Sequence, residues 1–367
     1  MSKPAVHQLV AGFRSGDAIS DEARLLQACL REHGHDSPIY CPLETLAPRL
    51  RDVAHPLEDV RDRVQPDDVA LLHVSIGSRS NAVFRTLNCR RAILYHNVTP
   101  ARFFDRLNPS LGHLLAEGRR QAAALAGVAG INLADSAYNA AELVEMGFDS
   151  VGVFPLVLDA RFGSGPVDPH MRARLTHDGR TNLLFVGRVA PNKRHDRLLQ
   201  LFHHYQNTID PRARLVIAGA SSGQEAYKAL LMGSVHTMEL KQVVFTEFLT
   251  AAELNACYAT ASAFVCLSEH EGFCAPLLEA MAWDVPVFAL AEAAVPETLD
   301  GAGVLFDGFD PAVMAETVGR VLADHELRRR IIERQRHRLD AYRQRHVWGE
   351  LASLLKLESG GAKAGEG

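Results

Sequence analysis

The run Ser268-Glu269-His270-Glu271-Gly272-Phe273-Cys274-Ala275-Pro276-Leu277-Leu278-Glu279-Ala280-Met281-Ala282 decides how the rest of the chain is read. It follows Ala263-Phe264-Val265-Cys266-Leu267, an apolar stretch of the length of a buried strand. Pro276 suits the first turn of a helix, where its missing N–H costs nothing. Leu277, Leu278, Met281 and Ala282 continue at helical spacing. The segment therefore reads as strand, tight acidic turn and helix. Glu271 stands in the turn, and Glu279 about two helical turns further on. Backbone N–H groups from Gly272 to Ala275 are left at the helix start, where free amides and the helix dipole favour a phosphate. A sugar nucleotide fits: its diphosphate on the helix start, sugar hydroxyls on Glu271, ribose hydroxyls on Glu279. An ordinary acidic helix entry reads the same way on spacing alone.

Outward from this run, 367 residues suggest two domains rather than one core. Apolar residues at 47% and charged residues at 23% fit a soluble globular protein. A net charge of −5 gives no general attraction to nucleic acid. The six cysteines, Cys29, Cys41, Cys89, Cys257, Cys266 and Cys274, form no C-x-x-C pair and read as buried thiols rather than a zinc site. With no apolar signal core after Met1 and no membrane-length span, the expectation is a cytoplasmic protein, with peripheral contact at the inner membrane face left open.

The N-terminal half alternates strands and helices. Val6 to Phe13 reads as a strand, Gly16 lies in the turn after it, and Asp21 to His33 is helical. Strand, glycine turn, helix opens a nucleotide-type βαβ unit, although no G-x-G-x-x-G is present. Further strands are expected at Ser37 to Cys41, Val69 to Val74, Ala92 to Tyr95, Ile131 to Ala134 and Val151 to Pro155. His96-Asn97-Val98-Thr99-Pro100 lies just past a strand end, where open α/β sheets place ligands. His96 is accordingly either a site residue or a histidine bonding its own turn. Asp135-Ser136 reads as the cap of the helix from Tyr138 to Met146. The stretch from Leu158 to His177 is the linker candidate.

A second series starts at Asn182-Leu183-Leu184-Phe185-Val186-Gly187, followed by Arg188-Val189-Ala190-Pro191-Asn192-Lys193-Arg194. Arg188 and Lys193 are two cations just past a strand end, suited to a pyrophosphate; a solvated basic loop is the plainer reading. Strands follow at Arg214 to Ala218, Val243 to Phe245, Ala263 to Leu267, Val285 to Ala289 and Ala302 to Phe306. Glu326 to Leu355 reads as charged helix with an apolar side, and residues 359–367 as a disordered tail.

Phe185 to Arg194, the strand end Ala218-Gly219, and Glu269 to Ala280 together resemble the retaining GT-B glycosyltransferases of glycosyltransferase family 4. The resemblance covers nearly the whole chain and is strongest in the second half, where an E-x7-E element is paired with a G-R-x(4)-K loop. It implies an α/β GT-B architecture: two Rossmann-like domains facing across a cleft, with a C-terminal helix crossing back to the N-terminal domain. The expected divisions are 1–160, acceptor side; 161–335, nucleotide-sugar donor side; 336–358, the returning helix; and 359–367, the tail. By resemblance Gly187, Arg188 and Lys193 hold the donor diphosphate. Glu271 takes the sugar hydroxyls, with the amides of Gly272, Phe273 and Cys274 helping. Ala275 borders the phosphates, Glu279 meets the ribose, Gly16 is the N-terminal loop glycine, and His96 lies near the donor sugar and acceptor. Nothing is drawn from the Cys274 thiol.

The resemblance implies a metal-independent, retaining transferase. Arg188, Lys193 and the helix start would stabilise the departing diphosphate in place of a metal, and no convincing D-x-D pair stands ready to hold one. No cofactor is expected. GDP-mannose is the first choice of donor and a UDP-sugar the second. The acceptor is a hydroxyl of a saccharide or lipid-linked saccharide, in surface polysaccharide or glycolipid synthesis. The rival readings are a non-catalytic sugar-nucleotide-binding partner and a sugar-nucleotide epimerase of related fold. Ala101 to Leu115, with Arg106, Arg119 and Arg120, offers apolar and basic residues that read as an ordinary buried helix or as a peripheral membrane contact.

Overall fold

The computed structural model describes residues 3–159 and 162–357. The expected tail at 359–367 and the expected domain change at 160–161 lie outside the described residues. The described residues fall into two units, one within Met1–Val98, Leu114–Leu158 and Arg345–Gly367, the other within Thr99–His113 and Asp159–Gln344.

Unit 1 holds β1 (Val6–Leu9), β2 (Ile39–Cys41), β3 (Ala54–Pro56), β4 (Val69–Val74), β5 (Arg90–Tyr95), β6 (Ile131–Ala134) and β7 (Val151–Val153). They form one parallel sheet in the order β3-β2-β1-β4-β5-β6-β7. β1 and β4 are buried at every position; β4 is apolar except for His73, whereas β1 carries His7 and Gln8, whose side chains are hydrogen-bonded inside the unit. The helix Ala18–Glu32 starts earlier than its apolar spacing suggests. The Asp17 side chain accepts from the Ser20 amide at 2.9 Å and so caps it four residues upstream of Asp21. The edge strand β3 escapes the sequence reading: it is three residues long, ends in Pro56 and pairs on one side only.

Unit 2 holds β8 (Asn182–Val186), β9 (Arg214–Ala218), β10 (Val243–Phe245), β11 (Ala263–Cys266), β12 (Val287–Leu290) and β13 (Val304–Phe306). This sheet is also parallel, in the order β10-β9-β8-β11-β12-β13. Both units thus repeat one doubly wound plan, with strand order reversing between β1 and β4 and between β8 and β11. At each reversal the following helices leave on opposite faces, opening a crevice at the carboxyl ends of the two strands. Part of the expected linker is helical: Asp168 caps the helix Pro169–Thr176 through the Met171 amide at 2.7 Å.

The long C-terminal helix expected from Glu326 to Leu355 is two helices, His325–Arg343 and Val347–Leu354. The first belongs to unit 2. Buried Gln335 accepts from the Val287 amide at 2.9 Å and donates to the Val285 carbonyl at 2.8 Å. The second belongs to unit 1, where Leu351 and Leu355 join Val6, Leu71 and Leu94 in the core. The change of unit therefore falls at Arg345, not at 336. Arg345 pairs with Glu350 at 2.7 Å and donates to the Pro155 carbonyl at 2.9 Å. Residues 99–113 group with unit 2, where Asn108 donates to the Gly223 carbonyl at 2.8 Å. Among the described residues no helix is long and apolar enough to cross a membrane. The helix Pro109–Ala123 buries Leu115 and Ala122.

Candidate functional site

In unit 2 the crevice lies where β8 and β11 end. The chain leaves β8 through Gly187 and β9 through Gly219, and these two turns nearly touch. A Cβ built on Gly219 would stand 2.1 Å from the Gly187 carbonyl oxygen. Only two glycines let the strand ends approach this closely.

Beyond Gly187, Arg188 is exposed and has no ion-pair partner among the described residues. Pro191–Lys193 make one 3-10 turn, and Arg194 adopts a left-handed backbone (φ 51°) before the helix His195–Thr208. Asn192 stitches this turn to the loop after β11: its side chain donates to the His270 carbonyl at 3.0 Å and its carbonyl accepts from the Glu269 amide at 2.9 Å. The stitching sets Lys193 beside Glu271, and the two form an ion pair in which Glu271 is nearly buried. Burial alone would lower the Lys193 pKa; the Glu271 carboxylate outweighs it and holds the ammonium above its ordinary value. Arg194, by contrast, is neutralised locally by Glu269 and Asp196. His195 is buried between Phe185 and Tyr227, and burial, helped by the Lys193 charge, drives its pKa down to about 3, so the ring is neutral.

Thr298 donates to the Phe273 carbonyl and the Ala294 amide bonds the Glu271 carbonyl at 3.3 Å, so the acidic turn is held from behind. The amides of Phe273, Cys274 and Ala275, at the start of the helix Ala275–Ala282, have no acceptor among the described residues. Glu279 accepts from the Tyr258 hydroxyl at 2.6 Å, and burial raises its pKa against that hydrogen bond. Of the unit 2 residues expected at a donor site, the structure pairs Lys193 with Glu271, in the turn that carries the amides of Phe273, Cys274 and Ala275, while Glu279 bonds Tyr258 further along the same helix. Asn192, Tyr258 and Thr298, which orient them, carry no signal in the sequence beyond their neighbourhood.

Gly16 and His96 belong to unit 1. Gly16 is exposed with φ 73°, directly before the Asp17 cap. The His96 ring sits in a buried polar chain. Gln8 donates its amide to the Ala23 carbonyl and to Ser37, both at 3.0 Å, which leaves its oxygen to accept from His73 Nε2 at 3.0 Å. His73 Nδ1 then accepts from His96 Nε2 at 2.9 Å, and His96 Nδ1 faces Asp135 at 3.5 Å. Ser136, not Asp135, caps the next helix. Burial is the largest effect on His96 and would lower its pKa, but Asp135 and Glu22 together hold it above the ordinary value. His73 is held well below its ordinary value by burial and then by His96.

Burial raises the Glu22 carboxyl to about 7, with His96 opposing. A carboxyl whose folded pKa exceeds its unfolded value contributes stability that is present below about pH 4.5 and lost as pH rises toward 7. Glu22→Gln keeps an oxygen for the Val157 amide, which Glu22 accepts at 2.8 Å. It is expected to remove a downward slope of up to about 1.4 kcal/mol per pH unit across that window. Urea unfolding of both proteins across the window checks this; identical pH profiles would mean that Glu22 is ionised throughout.

All six cysteines are free, and Cys41, Cys257, Cys266 and Cys274 are buried. Two groups of buried metal-capable side chains occur among the described residues, Glu22 with His73 and His96, and Cys266 with Glu271 and Cys274.

Residues 168–338 match the model of the family described as Glycosyl transferases group 1. A GDP-mannose-dependent alpha-mannosyltransferase of Mycolicibacterium smegmatis is 36% identical over 153 residues, 40% of this chain and 36% of the relative. A D-inositol 3-phosphate glycosyltransferase of Xylanimonas cellulosilytica is 29% identical over 56% of this chain and 50% of the relative. The chain thus spans half or less of the length of these curated relatives. Among solved structures, Anabaena HepE in complex with UDP and glucose superposes with a TM-score of 0.72 at 15% identity, over 96% of this chain and 99% of the other. Sucrose-phosphate synthase from Thermosynechococcus elongatus superposes with a TM-score of 0.72 at 17% identity, over 96% and 98%. The two parallel α/β units therefore have the GT-B glycosyltransferase fold, and the stretch 168–338, which contains the crevice of unit 2, is similar to glycosyl transferases group 1.

Proposed function

We propose that the protein is a retaining, metal-independent glycosyltransferase that moves a sugar from a nucleoside-diphosphate sugar to a hydroxyl of a saccharide or lipid-linked saccharide. The observation that carries this is the Lys193–Glu271 ion pair beside the unbonded amides of Phe273, Cys274 and Ala275. A cation, free N–H groups and a helix start suit a diphosphate, and a carboxylate beside them suits sugar hydroxyls.

Cleavage of the anomeric C–O bond sends negative charge to the diphosphate and positive charge to the sugar ring. Arg188, Lys193 and the helix start stabilise the first. Glu271 orients the sugar through its hydroxyls, and Glu279, with one oxygen held by Tyr258, takes the ribose. His96 and Gly16 are assigned to the sugar's acceptor side. Retention follows if the acceptor attacks from the face the diphosphate leaves, with a leaving oxygen taking its proton. GDP-mannose is the preferred donor in this reading, supported by the GDP-mannose-dependent relatives; a UDP-sugar is second, supported by the UDP-bound structural neighbour.

Calorimetric titration with UDP, GDP, ADP and TDP tests the proposal. One nucleotide is expected to bind tightly, not to be weakened by EDTA, and to lose about 10- to 100-fold in affinity in Lys193→Ala, the worth of a charge-assisted hydrogen bond. Binding of none would overturn it.

A further inference from the structure

We propose that Cys266, Cys274 and Glu271 form a binding site for one thiophilic divalent cation of the zinc and cadmium type. The two sulfurs stand 3.8 Å apart. Two thiolates on a tetrahedral zinc ion, at about 2.3 Å each, are separated by about 3.8 Å. The pair is therefore already at the bite of such an ion, whereas a disulfide would need it to close to about 2.05 Å. One Glu271 oxygen lies within 4.8 Å of both sulfurs, and all three residues are buried.

The charge count favours the same ion. With both thiols protonated, Glu271 and Lys193 balance each other. When a divalent cation enters, each thiol releases its proton to solvent and two sulfur–metal bonds form. Two thiolates then offset the two positive charges, and the buried site stays neutral. The carboxylate has an oxygen for each cation, so Lys193 need not leave.

Cys274 also holds a left-handed backbone (φ 70°) at the helix entry, a conformation that suits glycine. The thiol is kept there at a conformational cost. The cation takes no part in sugar transfer. It occupies a Glu271 oxygen, so a loaded protein should bind donor less well, a consequence that rests on the proposed donor site.

Cadmium titration of the reduced, metal-free full chain is the test, read by cadmium–thiolate charge-transfer absorption. One equivalent is expected to bind in the wild type and in a Cys257→Ala control. Affinity should fall in Cys266→Ala and Cys274→Gly by more than the ~10- to 100-fold that follows loss of an outer-shell partner. Glycine suits the backbone at 274, so that variant carries the test if Cys266→Ala does not fold. No stoichiometric band in the wild type, or an unchanged band in Cys274→Gly, overturns the site. Protein loaded with one equivalent and desalted is then titrated with GDP-mannose and UDP-glucose. If the metal-free protein binds one of them, loading is expected to weaken that binding. Unaltered affinity with the band intact would leave the cation site standing and overturn the assignment of Glu271 to the donor sugar.

Discussion

Glu271→Ala is expected to lower turnover with the preferred sugar nucleotide at least ~100-fold, the usual cost of removing a principal transition-state contact. Glu271 is nearly buried, its backbone carbonyl accepts from Ala294, and Lys193 is paired to its carboxylate. Truncation removes the group assigned to the sugar hydroxyls and leaves the Lys193 ammonium without its counter-charge. Lys193→Ala should cost a similar factor from the other side, by removing charge from the departing diphosphate. The two losses should not add, because each variant already breaks the same pair. Glu279→Ala is the contrast: a ribose contact made equally in ground and transition states raises KM with little change in kcat. Steady-state kinetics on purified variants, with a melting curve for each, checks this. Wild-type rates in both Glu271→Ala and Lys193→Ala would mean that the reaction takes place elsewhere.

Gly219→Ala should destabilise unit 2 by about 3 kcal/mol or more. The added methyl would meet the Gly187 carbonyl oxygen at 2.1 Å, and neither atom belongs to a flexible side chain. The strand ends must separate, disturbing the hydrogen bonds that the Gly187 and Val189 amides make to the Ala218 and Ala220 carbonyls, each 2.9 Å. Overpacking and backbone strain each cost about 1–3 kcal/mol. Gly233→Ala is the control. It lies inside the helix Glu225–Thr237 with nothing within 4 Å of the new methyl, and should gain about 0.5–1 kcal/mol. Chemical denaturation of the two variants should move in opposite directions; a neutral Gly219→Ala would show that the two turns can part freely.

Much of the crevice was legible because its parts are local. The apolar run before Ser268, Pro276 and the helical spacing after it place Glu271 in a turn without tertiary information. The same holds for Lys193 after Asn182 to Val186. What was not legible was their pairing. Lys193 and Glu271 are 78 residues apart, and the Asn192 bonds that align them follow from β8 and β11 being neighbours, which no local pattern encodes. His73 and His96 illustrate the same limit in unit 1. His73 is the penultimate residue of β4 and His96 directly follows β5, but only the pairing of β4 with β5 sets their rings together.

Some boundaries went astray for equally physical reasons. The strand β3 is short and proline-ended, so edge pairing rather than propensity makes it a strand. The helix Pro169–Thr176 hides in a stretch that reads as a linker because Gly163, Gly165 and Pro166 stand just before it. The charged C-terminal stretch looks continuous because helical periodicity survives the break at residues 344–346. Only the separate anchoring of Gln335 in unit 2 and Leu351 in unit 1 shows that it is two helices.

By itself, the sequence determined the alternation of strand and helix, the doubled α/β plan and the chemical character of the two loops. These follow from apolar periodicity, caps and glycine turns, each acting within about ten residues. Tertiary structure alone decided the strand order, and with it the crevice between β8 and β11, the Lys193–Glu271 pair, the approach of Cys266 to Cys274 and the break before Arg345. Each of these depends on which surfaces find one another after the local elements have formed, and that is settled by packing across the sheet.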